Sequence, residues 1–145
     1  MTPEVTYREL AECSFPAELR AVPMVLKKMK GYFTARGMGP QSWSELEWAA
    51  DEGLTNAVKH GCANRLAAGV TARWGWLGNR VWIEITDPSE FMPPPCAVEL
   101  PDDILSESGR GGFVIARLTS RVEHRQTPEG HCLIMEKDME CPASL

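Results

Sequence analysis

The chain reads as an α+β two-layer sandwich, with a mostly antiparallel (mixed) sheet and helices packed on one face. Three observations predict it. Two helical stretches, one with apolar residues every three or four positions and one opened by a capping box, come before the first hairpin signal. Two pairs of strand-like stretches are each joined by a short glycine-bearing turn. The order strand, helix, helix, hairpin, long loop, helix, hairpin segregates helices from strands, which favours antiparallel pairing.

With 145 residues, 43% hydrophobic and 24% charged, the chain has the size of one domain and can bury a core without cross-links. A single domain over 1–145 is expected. The first element, Val5 to Phe15, has imperfect strand character and leads to Pro16. Pro16 to Arg36 reads as a helix through Leu19, Val22, Leu26, Met29 and Phe33, with Pro23 marking a kink or the true start. Gly37 to Pro40 stops it. Ser44-Glu45-Leu46-Glu47 fits a capping box opening a second helix that runs to about His60, where Gly61 ends it.

Alternation at Val70, Ala72, Trp74 and Trp76, and at Val81, Ile83 and Ile85, predicts a hairpin turning at Leu77-Gly78-Asn79-Arg80. From Pro88 to Ser108 the pattern dissolves, and loops of that length inside a compact domain tend to be functional or disordered. Gly109 to Gly112 read as a glycine turn before a short helix, Phe113 to about Thr119. Arg121–Gln126 and His131–Glu136 close the chain as a strand pair around Pro128-Glu129-Gly130.

Composition narrows the function. A formal net charge of -5 argues against direct nucleic-acid binding, which favours basic surfaces, but not against a nucleotide, which needs only local donors. The five cysteines (Cys13, Cys62, Cys96, Cys132, Cys141) form no C-x2-C pair, so a metal cluster is not expected and a reducing, cytoplasmic setting is. No apolar run reaches the roughly 20 residues of a membrane span. Trp43, Trp48 and Trp82 can serve either a core or an interface.

Chemistry concentrates in three places. Glu52, Asn56 and His60 are spaced by four, along one helix face, and Glu52 and Asn56 stand about 6 Å apart along the axis. Such a stripe is either a solvated face or a site in which the Asn56 carbonyl oxygen ligates magnesium and Glu52 acts as general base. Asp87 ends a strand, as a turn former or as an acceptor for the exocyclic amine of adenine. Gly109-Arg110-Gly111-Gly112 is either a tight turn or a cradle for an anion, with Arg110 able to clamp a phosphate.

Taken in order, these motifs resemble the GHKL ATPase superfamily with its Bergerat ATP-binding fold, and within it the anti-sigma-factor serine kinases. Glu52-Gly53-Leu54-Thr55-Asn56-Ala57-Val58-Lys59-His60-Gly61 is similar to the family's N box. Gly109 to Ile115 resembles the second glycine box, and Gly130 to Lys137 the final strand. The resemblance covers nearly the whole chain. It implies Glu52 as catalytic base, Asn56 as Mg2+ ligand and Asp87 as adenine contact. It puts Gly109, Arg110, Gly111, Gly112 and Phe113 at the phosphates, Lys59 and His60 on the phosphate side, and 88–108 in an ATP lid. The implied reaction moves the γ-phosphoryl group of ATP to a serine of a STAS-domain anti-anti-sigma partner, with a sigma factor or another regulator as second partner and a homodimer as assembly. Two departures bear on the pocket: Ser89 stands where the first glycine box has glycine, and His131 where a small hydroxyl residue is usual. They motivate an alternative, a partner-binding module with weakened or lost catalysis.

Overall fold

The computed structural model describes residues 11–61, 69–89 and 107–139. Positions 5–10 of the expected first strand, most of the expected lid, and Cys62, Cys96 and Cys141 lie outside that set. Strand β1 (Ala11–Pro16) leads into a 3-10 turn (Leu19–Ala21) and helix α1 (Val22–Ala35). Pro23 occupies the first turn of α1, where its missing N–H costs nothing and its fixed φ suits the helix. The helix therefore starts at Val22 rather than Pro16. Leu19, expected on the apolar face, is left 48% exposed in the 3-10 turn. Gly37, at φ 100°, ends α1: its N–H bonds the Thr34 carbonyl and the Met38 N–H bonds that of Phe33.

Helix α2 (Pro40–Asn56) begins four residues before the expected cap. Its N-cap is Gly39, with no side-chain cap, and the Ser44–Glu47 box lies inside the helix. Pro40 presets the helical φ, the Trp43 N–H bonds the Gly39 carbonyl at 3.0 Å, and the Trp43 ring sits 6.1 Å from Phe33. Tertiary packing of the first turn does the work a polar cap would have done. After Asn56 the helix widens into a π turn, Ala57–Gly61.

Strands β2 (Gly69–Leu77) and β3 (Arg80–Asp87) form the expected hairpin, with Gly78 at φ 63° in a two-residue turn. Helix α3 (Glu107–Leu118) and the hairpin β4 (Arg121–Thr127) and β5 (Gly130–Asp138) complete the order. The sheet runs β1-β2-β3-β5-β4, and every described pair is antiparallel, in keeping with the expected α+β sandwich.

One face of the sheet carries the core. Phe15, Val70, Ala72, Trp74, Val81, Ile83, Ile85, Leu133 and Met135 meet Val25, Met29, Phe33, Leu46 and Leu54 of the helices. Each fully buried aliphatic side chain contributes roughly 1.5–3 kcal/mol of transfer free energy. Gly53 lets α2 lie close on the sheet: a Cβ there would come within 2.8 Å of Ile85 and 3.1 Å of Leu133. The other face is polar, with Arg73 3.3 Å from Glu12, and Arg121 bonded to Glu136 and Asp138.

Candidate functional site

The face that carries the core changes character at one end. Asp87 ends β3 in register with His131 of β5, which is in turn paired with Gln126 of β4. Asp87 and His131 are the buried polar side chains among the described residues, at 3% and 8% exposure. The Ser89 N–H donates to Asp87 Oδ1 at 2.9 Å, and His131 Nδ1 lies 3.3 Å from Oδ2. His124 Nδ1 is 2.9 Å from His131 Nε2, and the two rings stack with centroids 5.1 Å apart.

Burial by itself raises the Asp87 carboxyl. The hydrogen bonds from His131 and Ser89, with the His131 charge, outweigh it and hold the carboxyl below its ordinary value. Asp87 is therefore an ionised acceptor at neutral pH. In its neutral form His131 would donate from Nδ1 to this acceptor and accept at Nε2, with His124 donating from Nδ1. Burial, and then the charge of His131, push the His124 imidazolium down in pKa.

The turn after β3 is strapped to the closing hairpin. Gln126 Nε2 donates to the Ser89 carbonyl at 3.3 Å. Gly130, at φ 130°, lets β5 pass so close that a Cβ there would stand 2.0 Å from the Asp87 carbonyl oxygen. Ser89 occupies the glycine position of the expected first glycine box, and its amide closes an Asx turn on Asp87. The segment is held by neighbours where a glycine would have relied on its own conformational freedom.

Glu52 and Asn56 are half-buried near the C-terminal end of α2. The π turn that follows packs against β3, the strand that ends in Asp87. His60 does not continue the stripe. The wider π turn breaks the four-residue spacing after Asn56, and Lys59 and His60 are exposed.

The second glycine motif differs from expectation. Gly109 to Gly112 do not form a turn before a helix at Phe113; they lie within α3, which starts at Glu107. Packing along α2 and burial of Ile115 offset the roughly 1 kcal/mol each helical glycine costs. Gly109 and Arg110 fall in the first turn, where backbone amides lack intrahelical partners. The side chains of 107–111, Arg110 included, lie outside the described set. Phe113 is half-buried, with the Arg117 guanidinium 5.9 Å from its ring centroid.

The residues present suit a nucleotide: an ionised buried carboxylate for a base amine, an amide carbonyl for a cation, and open amides at a helix start for phosphates. Sequence reading missed His124 and Gln126. The two-residue turn at Pro128-Glu129 makes His124 and His131 diagonal neighbours on one face, a relation that strand spacing alone discloses.

Comparison with known proteins agrees with this fold. The chain superposes on the RsbU and RsbW domains of Rv1364c from Mycobacterium tuberculosis with a TM-score of 0.63 and 16% identity, covering 94% of this chain and 34% of that one. It superposes on the histidine kinase domain of Erythrobacter litoralis EL346 blue-light activated histidine kinase with a TM-score of 0.54 and 14% identity, covering 86% and 62%. The chain thus spans less than two thirds of either structure, and at these identities the likeness is one of fold. No curated protein matches in sequence. The description "Histidine kinase-like ATPase domain" matches residues 15–137, and the chain belongs to that family.

Proposed function

We propose that the protein binds Mg-ATP and transfers its γ-phosphoryl group to a serine or threonine of a STAS-domain anti-anti-sigma protein, while also binding a sigma factor or another regulator. The observation that carries this reading is the convergence of two elements: the α2 end bearing Glu52 and Asn56 packs on β3, whose end holds the ionised, buried Asp87. The Mycobacterium tuberculosis structure, described by its RsbU and RsbW domains, supports it at the level of fold.

In this reading Asp87 accepts the amino group of adenine. Asn56 offers its side-chain carbonyl to magnesium, and the first-turn amides of α3, Gly109 and Arg110 among them, meet the phosphates. Gly111, Gly112 and Phe113 line the same side, with Lys59 and His60 at the rim and Ser89 at the base end. Glu52 takes the proton of the acceptor hydroxyl. Bound magnesium supplies charge neutralisation along the phosphates, which is most of what phosphoryl transfer asks of a protein. A homodimer belongs to the same reading; a sedimentation run giving only monomer across micromolar concentrations removes it.

The test is calorimetric titration with ATP, with and without magnesium, followed by transfer to a STAS-domain acceptor. Asn56→Ala should abolish magnesium-dependent binding. Glu52→Ala should keep binding and lose transfer by about 100-fold or more. Full transfer by Glu52→Ala refutes its role as base. A second reading, a partner-binding module without catalysis, is favoured by one observation: Asp87 is already bonded to His131 and Ser89. Partner binding indifferent to nucleotide would select it.

A further inference from the structure

We propose that His131, backed by His124, is a positioning residue of the base pocket: it presents the Asp87 carboxylate to an amino-bearing purine and ties nucleotide binding to the protonation of the histidine pair. The proposal rests on the reading of Asp87 as the base contact and adds what controls it.

A carboxylate has about four acceptor positions. On Asp87, Ser89 and His131 Nδ1 bond opposite oxygens, the Ser89 amide at Oδ1 and His131 at Oδ2, with the Ser89 hydroxyl adding to the hold, which fixes the carboxylate plane. An acceptor position left over would take the ligand amine. His131 is itself held by His124, through a 2.9 Å hydrogen bond and a stacked ring, so the chain His124–His131–Asp87 spans three strands. One arrangement of protons satisfies this chain when both imidazoles are neutral. A proton added to the pair leaves a cation against Asp87. The bond from His131 becomes charge-assisted and the carboxylate charge is compensated, so a ligand amine gains less from it.

Among the described residues, Asp87 faces the pair from β3. On β4 and β5, Glu123, Arg125 and Glu136 alternate onto the opposite sheet face, and Arg117 on α3 is exposed beside Phe113. Burial, and then the charge of His131, hold the His124 imidazolium below its ordinary pKa, which favours the neutral ring at that end of the pair. Nucleotide, preferring the neutral pair, must lower the pair's apparent pKa, because linkage is reciprocal.

The experiment is ADP–magnesium titration of the wild type, His131→Asn, His131→Ala and Asp87→Asn between pH 5.5 and 8. It is read as the difference from wild type, in which the nucleotide's own phosphate titration cancels. The histidine ring resonances are followed by NMR with and without ADP. His131→Ala should weaken binding roughly tenfold at pH 7.5, the loss of one hydrogen bond to a charged group. His131→Asn, which can still donate to Asp87, should recover most of that affinity but bind with less loss at pH 5.5 than the wild type does. ADP should move the histidine titration to lower pH.

If both His131 variants follow the wild-type affinity at every pH, and ADP leaves the histidine titration unmoved, the proposal is overturned. If Asp87→Asn binds like the wild type, or the wild type binds no ADP, the base-contact reading fails and the proposal with it. If Asp87→Asn abolishes binding while the His131 variants are silent, the proposal alone fails.

Discussion

The two ends of the helix-facing sheet surface use the same strands to opposite purposes. At one end Trp74, Ile83 and Met135 stand in register across β2, β3 and β5, all buried and apolar. Two positions beyond the Ile85–Leu133 pair the register reaches Asp87 and His131, and the surface becomes a hydrogen-bonded polar row. The apolar end draws its free energy from area removed from water, which is non-directional and tolerant of small shifts. The polar end survives burial only because its donors and acceptors are matched, which makes it sensitive to geometry and to protons. The difference teaches that the site is the core's own register continued with different side chains.

Substitutions sharpen this contrast, and their expected effects descend in size. Leu54→Ala, at a fully buried core position, should cost about 4 kcal/mol by denaturant unfolding, since a transfer loss and a cavity add. A loss below about 1 kcal/mol would mean that α2 is not seated on the sheet as described. Gly130→Ala should cost about 3 kcal/mol: alanine at that positive φ is strained, and its Cβ would meet the Asp87 backbone, which cannot yield as a side-chain end can. Its unfolding free energy and its nucleotide affinity should fall together.

Gly75→Ala is the milder counterpart. Its Cβ would meet the ring of Trp82 at 2.4 Å on the open face, where that side chain can swing aside, and about 1 kcal/mol is expected. Next comes pH. The folded His124 pKa lies below its unfolded value, so the unfolded chain binds more protons in that interval. This contribution to stability is complete above about pH 6.5 and is lost as pH falls through the folded pKa. Asp87 acts lower: its contribution is present above the ordinary carboxylate value and disappears as pH falls through its depressed one. His124→Gln should flatten the first of these losses and leave the second, measured as unfolding midpoints from pH 4 to 8. The smallest effect belongs to Arg121→Ala. It breaks an exposed ion-pair cluster with Glu136 and Asp138, and salt should erase what little stability it costs.

Much of the fold was legible. Period-two alternation placed the first hairpin, two strand-like stretches around Pro128-Glu129-Gly130 the second, and the glycines at 78 and 130 marked their turns. The apolar set of α1 was visible from Val22 onward. Helix starts were less so. Ser44 to Glu47 carries the letters of a capping box, but a local motif competes with a proline four residues earlier and with Trp43, whose burial anchors the first turn. Gly109 to Gly112 read as a turn because glycine is a poor helix former, and contact with α2 outweighed that preference. Of the candidate site, Glu52, Asn56 and Asp87 stood out by type and spacing. His124 and Gln126 did not, since their roles exist only across strands.

What the sequence determined by itself was therefore local and periodic: which residues form strands and helices, which face of each is apolar, and which motif matches a family. The tertiary structure decided the rest. It placed β5 between β3 and β4, set His131 against Asp87, opened the π turn after Asn56, and strapped the Ser89 turn to the closing hairpin. The reason is physical. Backbone preference and hydrophobic period act between near neighbours in the chain, whereas the pairing of a buried carboxylate with a histidine 44 positions away is settled only when the sheet brings both out of water together.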